Sequence, residues 1–217
     1  PFSGTELMIS DTGEILFRGR HVMKGYYKNP EATADTIDAN GWLHSGDKGE
    51  IDSDGYVKIT GRIKELYVSS GGKNIAPLVI EETMKSIPMV SQCMLIGDGR
   101  KYCSALFTLD VGAILRDKHG MDPAKIPKDP AVQITTLESF GKTLSDYTDS
   151  EEIFNEMQVE VSRLNGQFSN PEQIKKFTIL PRDLNVDFGE LTPTLKIRRI
   201  QIRENWASEI ESMYEGA

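Results

Sequence analysis

The stretch Gly61-Arg62-Ile63-Lys64-Glu65-Leu66-Tyr67-Val68-Ser69-Ser70-Gly71-Gly72-Lys73-Asn74-Ile75-Ala76-Pro77 divides the chain. It joins a charged Gly-Arg-x-Lys turn to a short β-like segment over Glu65 to Val68. A glycine pair follows, then Pro77, which opens a helix running to about Ser86. Glycines let a backbone approach a ligand closely, and the cations just upstream suit a phosphate. The fold class read from this switch is α+β, with a boundary near Arg62 to Glu65.

Upstream, residues 1–63 read as β-rich with tight turns. Glu6 to Ser10 and Ile15 to Arg18 alternate around the turn signal Asp11-Thr12-Gly13-Glu14. Asn29-Pro30-Glu31 is a helix start, with Asn as cap, Pro at the first helical position and an acid in the first turn. Glu50-Ile51 and Tyr56 to Thr60 predict a hairpin around Asp52-Ser53-Asp54-Gly55. A calcium loop is the competing reading of that turn, and it needs a glutamate six residues after its glycine. Gly61 stands there, so the turn is read as a hairpin.

Downstream, residues 64–217 alternate helices and strands. Gln92 to Ile96 and Ser104 to Leu109 are apolar strands bracketing the turn Gly97 to Arg100, and Phe177 to Leu180 is a further strand. Residues 120–132 hold Pro123, Pro127 and Pro130 and read as an irregular excursion. Ser150 caps a helix with Ile153, Met157, Val161 and Leu164 on one face. A single last helix presents Ile202, Trp206, Ile210 and Met213 at i, i+4 spacing.

Composition narrows the classes. With 38% hydrophobic and 27% charged residues in 217, the chain has enough apolar side chains for a real core and is not of the disordered type. A formal charge of -8 argues against broad nucleic-acid binding, which needs a basic footprint. The two cysteines, Cys93 and Cys103, lie in apolar runs and read as buried hydrophobes of a reducing compartment. No apolar run is long enough to span a bilayer, so the expected location is cytoplasmic, with peripheral membrane association open. The opening Pro1-Phe2-Ser3-Gly4 carries no initiator methionine and reads as a cut inside a longer protein.

Three motifs in order carry a resemblance. They are Gly41-Trp42-Leu43-His44-Ser45-Gly46-Asp47, the Gly61 to Pro77 stretch, and Leu191-Thr192-Pro193-Thr194-Leu195-Lys196. Together they resemble the adenylate-forming superfamily of acyl-CoA synthetases, luciferases and peptide-synthetase adenylation domains. Within it, Gly61 to Leu66, Met94 to Lys101 and Gly189 to Lys196 resemble long-chain or very-long-chain fatty acyl-CoA synthetases of the bubblegum-like group. The resemblance implies that residues 1–63 are the β-rich end of a large AMP-binding domain. Residues 64–217 would then be its mobile, small α+β lid.

Roles follow from the same resemblance. Asp47 would hold the ribose hydroxyls of ATP or AMP, Arg62 would lie beside the same nucleotide, and Lys64 would be the hinge. Lys196 would serve the adenylation half-reaction on an extended arm, since Pro193 disfavours a helix. Gly71, Gly72, Lys73 and Asn74 would line the coenzyme A channel, Lys73 either meeting coenzyme A phosphates or standing solvated. The basic cluster Lys196, Arg198, Arg199 and Arg203 reads as a solvated helix face with some contact to phosphates.

The implied chemistry is the activation of a carboxylate, a poor electrophile, as a mixed anhydride with AMP that a thiol then attacks. Two anions meet in the first step, so cations must wait where charge develops. The implied partners are fatty acid, ATP with Mg²⁺, coenzyme A and a large upstream domain holding the phosphate loop; this stretch alone is expected to be inert. Two other readings stay open: a non-catalytic nucleotide or partner module, and adenylation of an amino or aryl acid for a carrier protein.

Overall fold

The computed structural model describes residues 3–69 and 72–216. These residues form two compact units, one from the residues up to Leu66 with Ala76–Val79, the other from Tyr67–Ile75 and Ile80 onward.

In the first unit, Ser10 accepts the N–H of Gly13 and donates its own to Glu14, closing the turn between β1 (Thr5–Ile9) and β2 (Glu14–Gly19). Helix α1 (Pro30–Thr36) starts as its sequence predicts, the Asn29 side chain accepting from the N–H of Ala32 at 3.0 Å. Strand β3 (Leu43–Ile51) then pairs with β2 and with β4 (Val57–Arg62), giving an antiparallel sheet in the order β1-β2-β3-β4. The Asp52 carboxylate closes the β3–β4 hairpin by accepting from the N–H groups of Asp54 and Tyr56, so the hairpin reading of this turn holds.

Gly49 is where the sheet is tightest. A Cβ there would stand 2.5 Å from the Ile15 side chain and 2.7 Å from the Lys58 carbonyl, so the β3 bulge at Lys48/Gly49 accepts only glycine. Ile15 and Leu16 are buried, whereas Ile51, Tyr56, Val57 and Ile59 lie exposed.

After β4 the chain makes one 3-10 turn, Ile63–Glu65, before β5 (Tyr67–Val68). The strand expected from Glu65 is therefore shorter, because Lys64 and Glu65, poor strand formers, are taken up by the turn. In the second unit β5 pairs with β6 (Asn74–Ile75); α2 (Pro77–Met84) follows in the chain and belongs to this unit from Ile80 onward. The main sheet has the order β7-β8-β9, from β7 (Val90–Ile96), β8 (Cys103–Leu109) and β9 (Ile174–Ile179). β7 and β8 are antiparallel and β8 and β9 parallel. Between β8 and β9 lie α3 (Val111–Asp117), α4 (Pro130–Ser139), α5 (Ser145–Thr148) and α6 (Glu151–Asn165).

Alternation along β7 sends side chains to two cores. Cys93 and Leu95 join Phe107, Met84 and the α6 stripe Ile153, Met157, Val161 and Leu164. Met94 and Ile96 join Leu106, Leu191, Ile202, Trp206 and Ile210 on the other face. Both cysteines are free and buried, as their apolar surroundings imply.

Two expectations are corrected here. Residues 120–132 are not irregular throughout: Asp122 caps a 3-10 turn, Pro123–Lys125, and Asp129 caps α4, each with proline in the first turn where no N–H is needed. The last helix is two helices, α7 (Arg199–Asn205) and α8 (Ala207–Ser212), because Trp206 leaves helical geometry at φ -119° and ψ 29°. Its apolar stripe survives the break, with Ile202, Trp206, Ile210 and Met213 all buried.

Candidate functional site

Asp47 and Arg62 face each other as cross-strand partners of β3 and β4, the Arg62 Nε 3.1 Å from the Asp47 carboxylate. The sheet thus brings together two residues that the resemblance assigns to one nucleotide. The loop of strand carrying Asp47 is held from β2. Glu14 accepts the Gly46 N–H at 2.8 Å and contacts His44 Nδ1 at 2.8 Å. Ser45 Oγ donates to the Ile15 carbonyl at 2.7 Å and accepts the Asp47 N–H at 3.0 Å. Glu14 and Ser45 are supports that motif reading did not single out; the signal was their place in Gly13-Glu14 and Ser45-Gly46-Asp47, but not their contact. Lys64 lies exposed in the 3-10 turn after β4.

Of the residues expected at a coenzyme A channel, Gly71 lies outside the described residues. Gly72 has φ +77°, a left-handed conformation that glycine takes freely, and Asn74 pairs with Val68 across the β5–β6 hairpin. Lys73 is not free in solvent: its Nζ contacts Ser169 Oγ and lies 3.0 Å from Glu172. Burial opposes the charge of Glu172, yet the hydrogen bonds from Ser169 and Lys73 hold its carboxyl below the ordinary glutamate value. Beside Ser69 and Ile75 opens a cavity of about 270 Å³, lined by Arg100, Lys101, Tyr102 and Lys175. Arg100 and Lys101 are neighbours in the stretch Met94 to Lys101, whereas Lys175 comes from β9, so no single motif joined the three.

Lys196 does not ride on an extended arm. Thr192 donates its N–H to the Lys196 carbonyl at 2.8 Å, and Thr192 Oγ1 accepts the Lys196 N–H at 3.0 Å. Leu191 bridges Ile197, and Leu195 sits at φ +59°, so Thr192 to Lys196 is a closed turn at the tip of a short hairpin. Pro193 still blocks a helix, but the threonine hydroxyl supplies the turn that the proline only permits. Lys196 itself is exposed.

Beneath the turn lies Glu190, fully buried. Arg182 donates to both its oxygens, at 2.7 and 2.8 Å, and the Trp206 Nε1–H donates at 2.9 Å. Asn205 Nδ2 and the Asn185 N–H complete the set at 3.1 and 3.2 Å. Burial works against its charge, but these donors hold its pKa below the ordinary value.

The basic cluster is likewise only partly solvated. Lys196 and Arg198 are exposed, but Arg199 forms a fork on Glu81 at 2.6 and 2.7 Å, and Glu81 is 3% exposed. Glu81 also accepts the Leu95 N–H at 2.7 Å. The Arg203 guanidinium stands 5.6 Å from the centre of the Tyr67 ring. Arg199 and Arg203 therefore tie α7 to α2 and β5, while Lys196 and Arg198 stay on the solvated face. Among the described residues no cluster of three or more His, Cys, Asp or Glu side chains is placed to hold a metal, and no helix is long and apolar enough to cross a membrane.

Residues 64–123 match the AMP-binding enzyme C-terminal domain. The chain is 37% identical to the long-chain-fatty-acid–CoA ligase FadD15 of Mycobacterium tuberculosis over 99% of its own length and 33% of the relative's. It is 36% identical to the long-chain-fatty-acid–CoA ligase ACSBG2 of Gallus gallus, over 94% of the chain and 27% of that relative. The chain thus spans about a third of the length of the curated relatives it matches. In fold it is similar to the A domain of a carboxylic acid reductase from Segniliparus rugosus, solved with AMP and a co-purified carboxylic acid. That likeness has a TM-score of 0.69 at 19% identity and covers 97% of this chain and 31% of the reductase domain. O-succinylbenzoate coenzyme A synthetase of Bacillus subtilis, solved with AMP, gives 0.58 at 20% identity over 94% of this chain and 34% of its own.

Proposed function

We propose that this chain is the C-terminal part of an ATP-dependent long-chain fatty acid–CoA ligase. The observation that carries the reading is the 37% identity running through 99% of the chain to a long-chain-fatty-acid–CoA ligase. Residues 1–63 would end the large AMP-binding domain and residues 64–217 form the lid.

In the reaction, the fatty carboxylate attacks the α-phosphorus of ATP; the bond to the bridging oxygen breaks and pyrophosphate leaves. The coenzyme A thiol then attacks the acyl carbon, and AMP leaves. Asp47 would accept both ribose hydroxyls, while Arg62, already 3.1 Å from it, would turn its fork between that carboxylate and the nucleotide. Lys196, a compact ammonium on a preformed turn, would stabilise charge developing between carboxylate and α-phosphate. Lys64 would absorb the backbone change as the lid turns between the two steps. Gly71, Gly72 and Asn74 would then border the pantetheine path, with Lys101 and Lys175 of the adjacent cavity meeting coenzyme A phosphates and Lys73 fixing the loop through Glu172.

Mg²⁺ would be held with ATP mainly by the large upstream domain, where it would neutralise phosphate charge. The whole protein would be cytoplasmic, resting on membranes only peripherally. The test is acyl-CoA formation by the whole protein from palmitate, ATP and coenzyme A. Palmitate-dependent pyrophosphate exchange and palmitoyl-CoA are the expected products. Exchange that responds to aryl or amino acids and not to palmitate would overturn the substrate class.

A further inference from the structure

A carboxylate removed from water needs a reason. Glu190 is fully buried, and such a group costs several kcal/mol unless hydrogen bonds and an opposite charge offset the lost hydration. Here the offset is complete: two Arg182 bonds, the Trp206 indole, the Asn205 amide and the Asn185 N–H all converge on one side chain. Arg182 is itself held between two rings, 3.9 Å from the Phe188 centroid and 4.8 Å from that of Trp206. An apolar residue would fill such a place with less risk, so the arrangement specifies geometry.

What it specifies is the base of the Lys196 hairpin. The Glu190 carbonyl accepts the Arg198 N–H at 2.8 Å, and its own N–H and that of Leu191 both donate to the Asn185 carbonyl at 3.1 Å. The two strands of the hairpin therefore leave from a residue whose side chain is clamped on four sides. The tip has its own bonds, from Thr192 to Leu195 and Lys196, and Leu195 holds a left-handed φ of +59°, which is costly for a residue with a side chain. Trp206 leaves helical geometry at the residue whose indole reaches Glu190. The clamp thus ties the hairpin to the α7–α8 junction.

We infer that Glu190 is a positioning residue for Lys196: its buried clamp with Arg182, Trp206, Asn205 and Asn185 fixes the turn that presents the ammonium. This rests on the reading of Lys196 as the lysine of adenylation. Catalytic groups must be held to about half an ångström, and a displacement of about 1 Å can cost roughly a hundredfold in rate. Loosening the clamp therefore reduces the step that uses Lys196 and spares the step that does not.

The experiment compares wild type, Glu190→Gln and Trp206→Phe in the whole protein. Glu190→Gln keeps the shape and removes the charge facing Arg182; Trp206→Phe removes one donor and keeps the Arg182 pair. Three quantities are read: ATP–pyrophosphate exchange, conversion of supplied acyl-AMP to thioester, and hydrogen exchange of the main-chain amides over Thr192 to Ile197. For Glu190→Gln the expected result is a fall in exchange kcat of about tenfold or more with KM for ATP little changed. Thioester formation stays within about twofold, and amide protection is lost in the turn but kept in β7 to β9. Trp206→Phe gives the same split on a smaller scale, which decides the matter if Glu190→Gln does not fold.

Equal loss in both half-reactions, or unchanged exchange, overturns the inference and leaves Glu190 a core staple. Exchange that survives Lys196→Ala instead refutes the assignment of Lys196. The amide measurement, which needs no activity, then still decides whether Glu190 sets this turn.

Discussion

Replacing Arg199 by methionine tests the buried Arg199–Glu81 pair. The substitution keeps an unbranched apolar stem and removes the guanidinium that donates to both oxygens of Glu81, at 2.6 and 2.7 Å. Glu81 is 3% exposed and would keep only the Leu95 N–H, one of its three hydrogen bonds. Breaking one side of a buried pair costs about 3–5 kcal/mol, because a charge is left without its partner. For a chain of this size each kcal/mol is worth roughly 2–4 °C, so the melting temperature falls by about 6–20 °C. Were Arg199 part of a solvated face, the loss would stay within about 1 kcal/mol. The assay is urea and thermal unfolding in a Trp42→Phe background, so that the fluorescence of Trp206 reports the second unit alone. A second arm replaces the pair together, Glu81→Gln with Arg199→Met, so that the amide oxygen still accepts the Leu95 N–H. With no unpaired charge left, it recovers most of the loss. A single-variant loss below about 1 kcal/mol, or a double variant no better than the single, would refute the reasoning.

Three further outcomes follow from the same geometry. Met157→Ala, at a fully buried position on α6, costs about 2–5 kcal/mol in the same unfolding assay, whereas Val159→Ala on its exposed face costs less than about 0.5 kcal/mol. Burial raises the Cys93 thiol well above its ordinary value of 9.0 and the Cys103 thiol up to about 11. Both therefore resist alkylation at pH 8 until the chain unfolds. Their contribution to stability is complete below pH 9, where the unfolded thiols begin to ionise, and declines as pH rises towards 11. Glu172 and Glu190 are both held below the glutamate value of 4.5, so their contribution is present above pH 4.5 and is lost as pH falls below it, and Glu190→Gln flattens that acid limb.

What was legible in the sequence was mostly local chemistry. Asn29-Pro30 and Ser150 announce helix starts because the cap side chain and the missing proline N–H act within one turn. The α6 stripe is likewise a periodic signal and the run Cys93 to Ile96 a continuous apolar one, and both are buried. Asp129-Pro130 carries the same cap signature as Asn29-Pro30, but three prolines in a short span disguised it as a loop. The break at Trp206 was invisible because no helix stop marks it locally, and the Glu190 carboxylate that its indole meets lies sixteen residues away.

The candidate site divides the same way. Asp47 and Arg62 were found as members of separate motifs, and only the β3–β4 register puts them in contact. Pro193 correctly excluded a helix, yet whether the chain then extends or turns depended on Thr192 Oγ1. Arg199 looked solvated beside Lys196, Arg198 and Arg203 because a charge cluster says nothing of a glutamate on another helix. Long-range polar pairing is set by topology, and topology is what one sequence states least directly.

The central claim is that Lys196 serves the first half-reaction of a two-step ligase. It is tested most directly by Lys196→Ala in the whole protein, with both half-reactions measured on one preparation. Fatty-acid-dependent ATP–pyrophosphate exchange should fall on the order of 10²–10³-fold, while supplied acyl-AMP is still converted to its coenzyme A thioester at close to the wild-type rate. Exchange that persists, or both half-reactions lost together in a folded protein, would contradict the account.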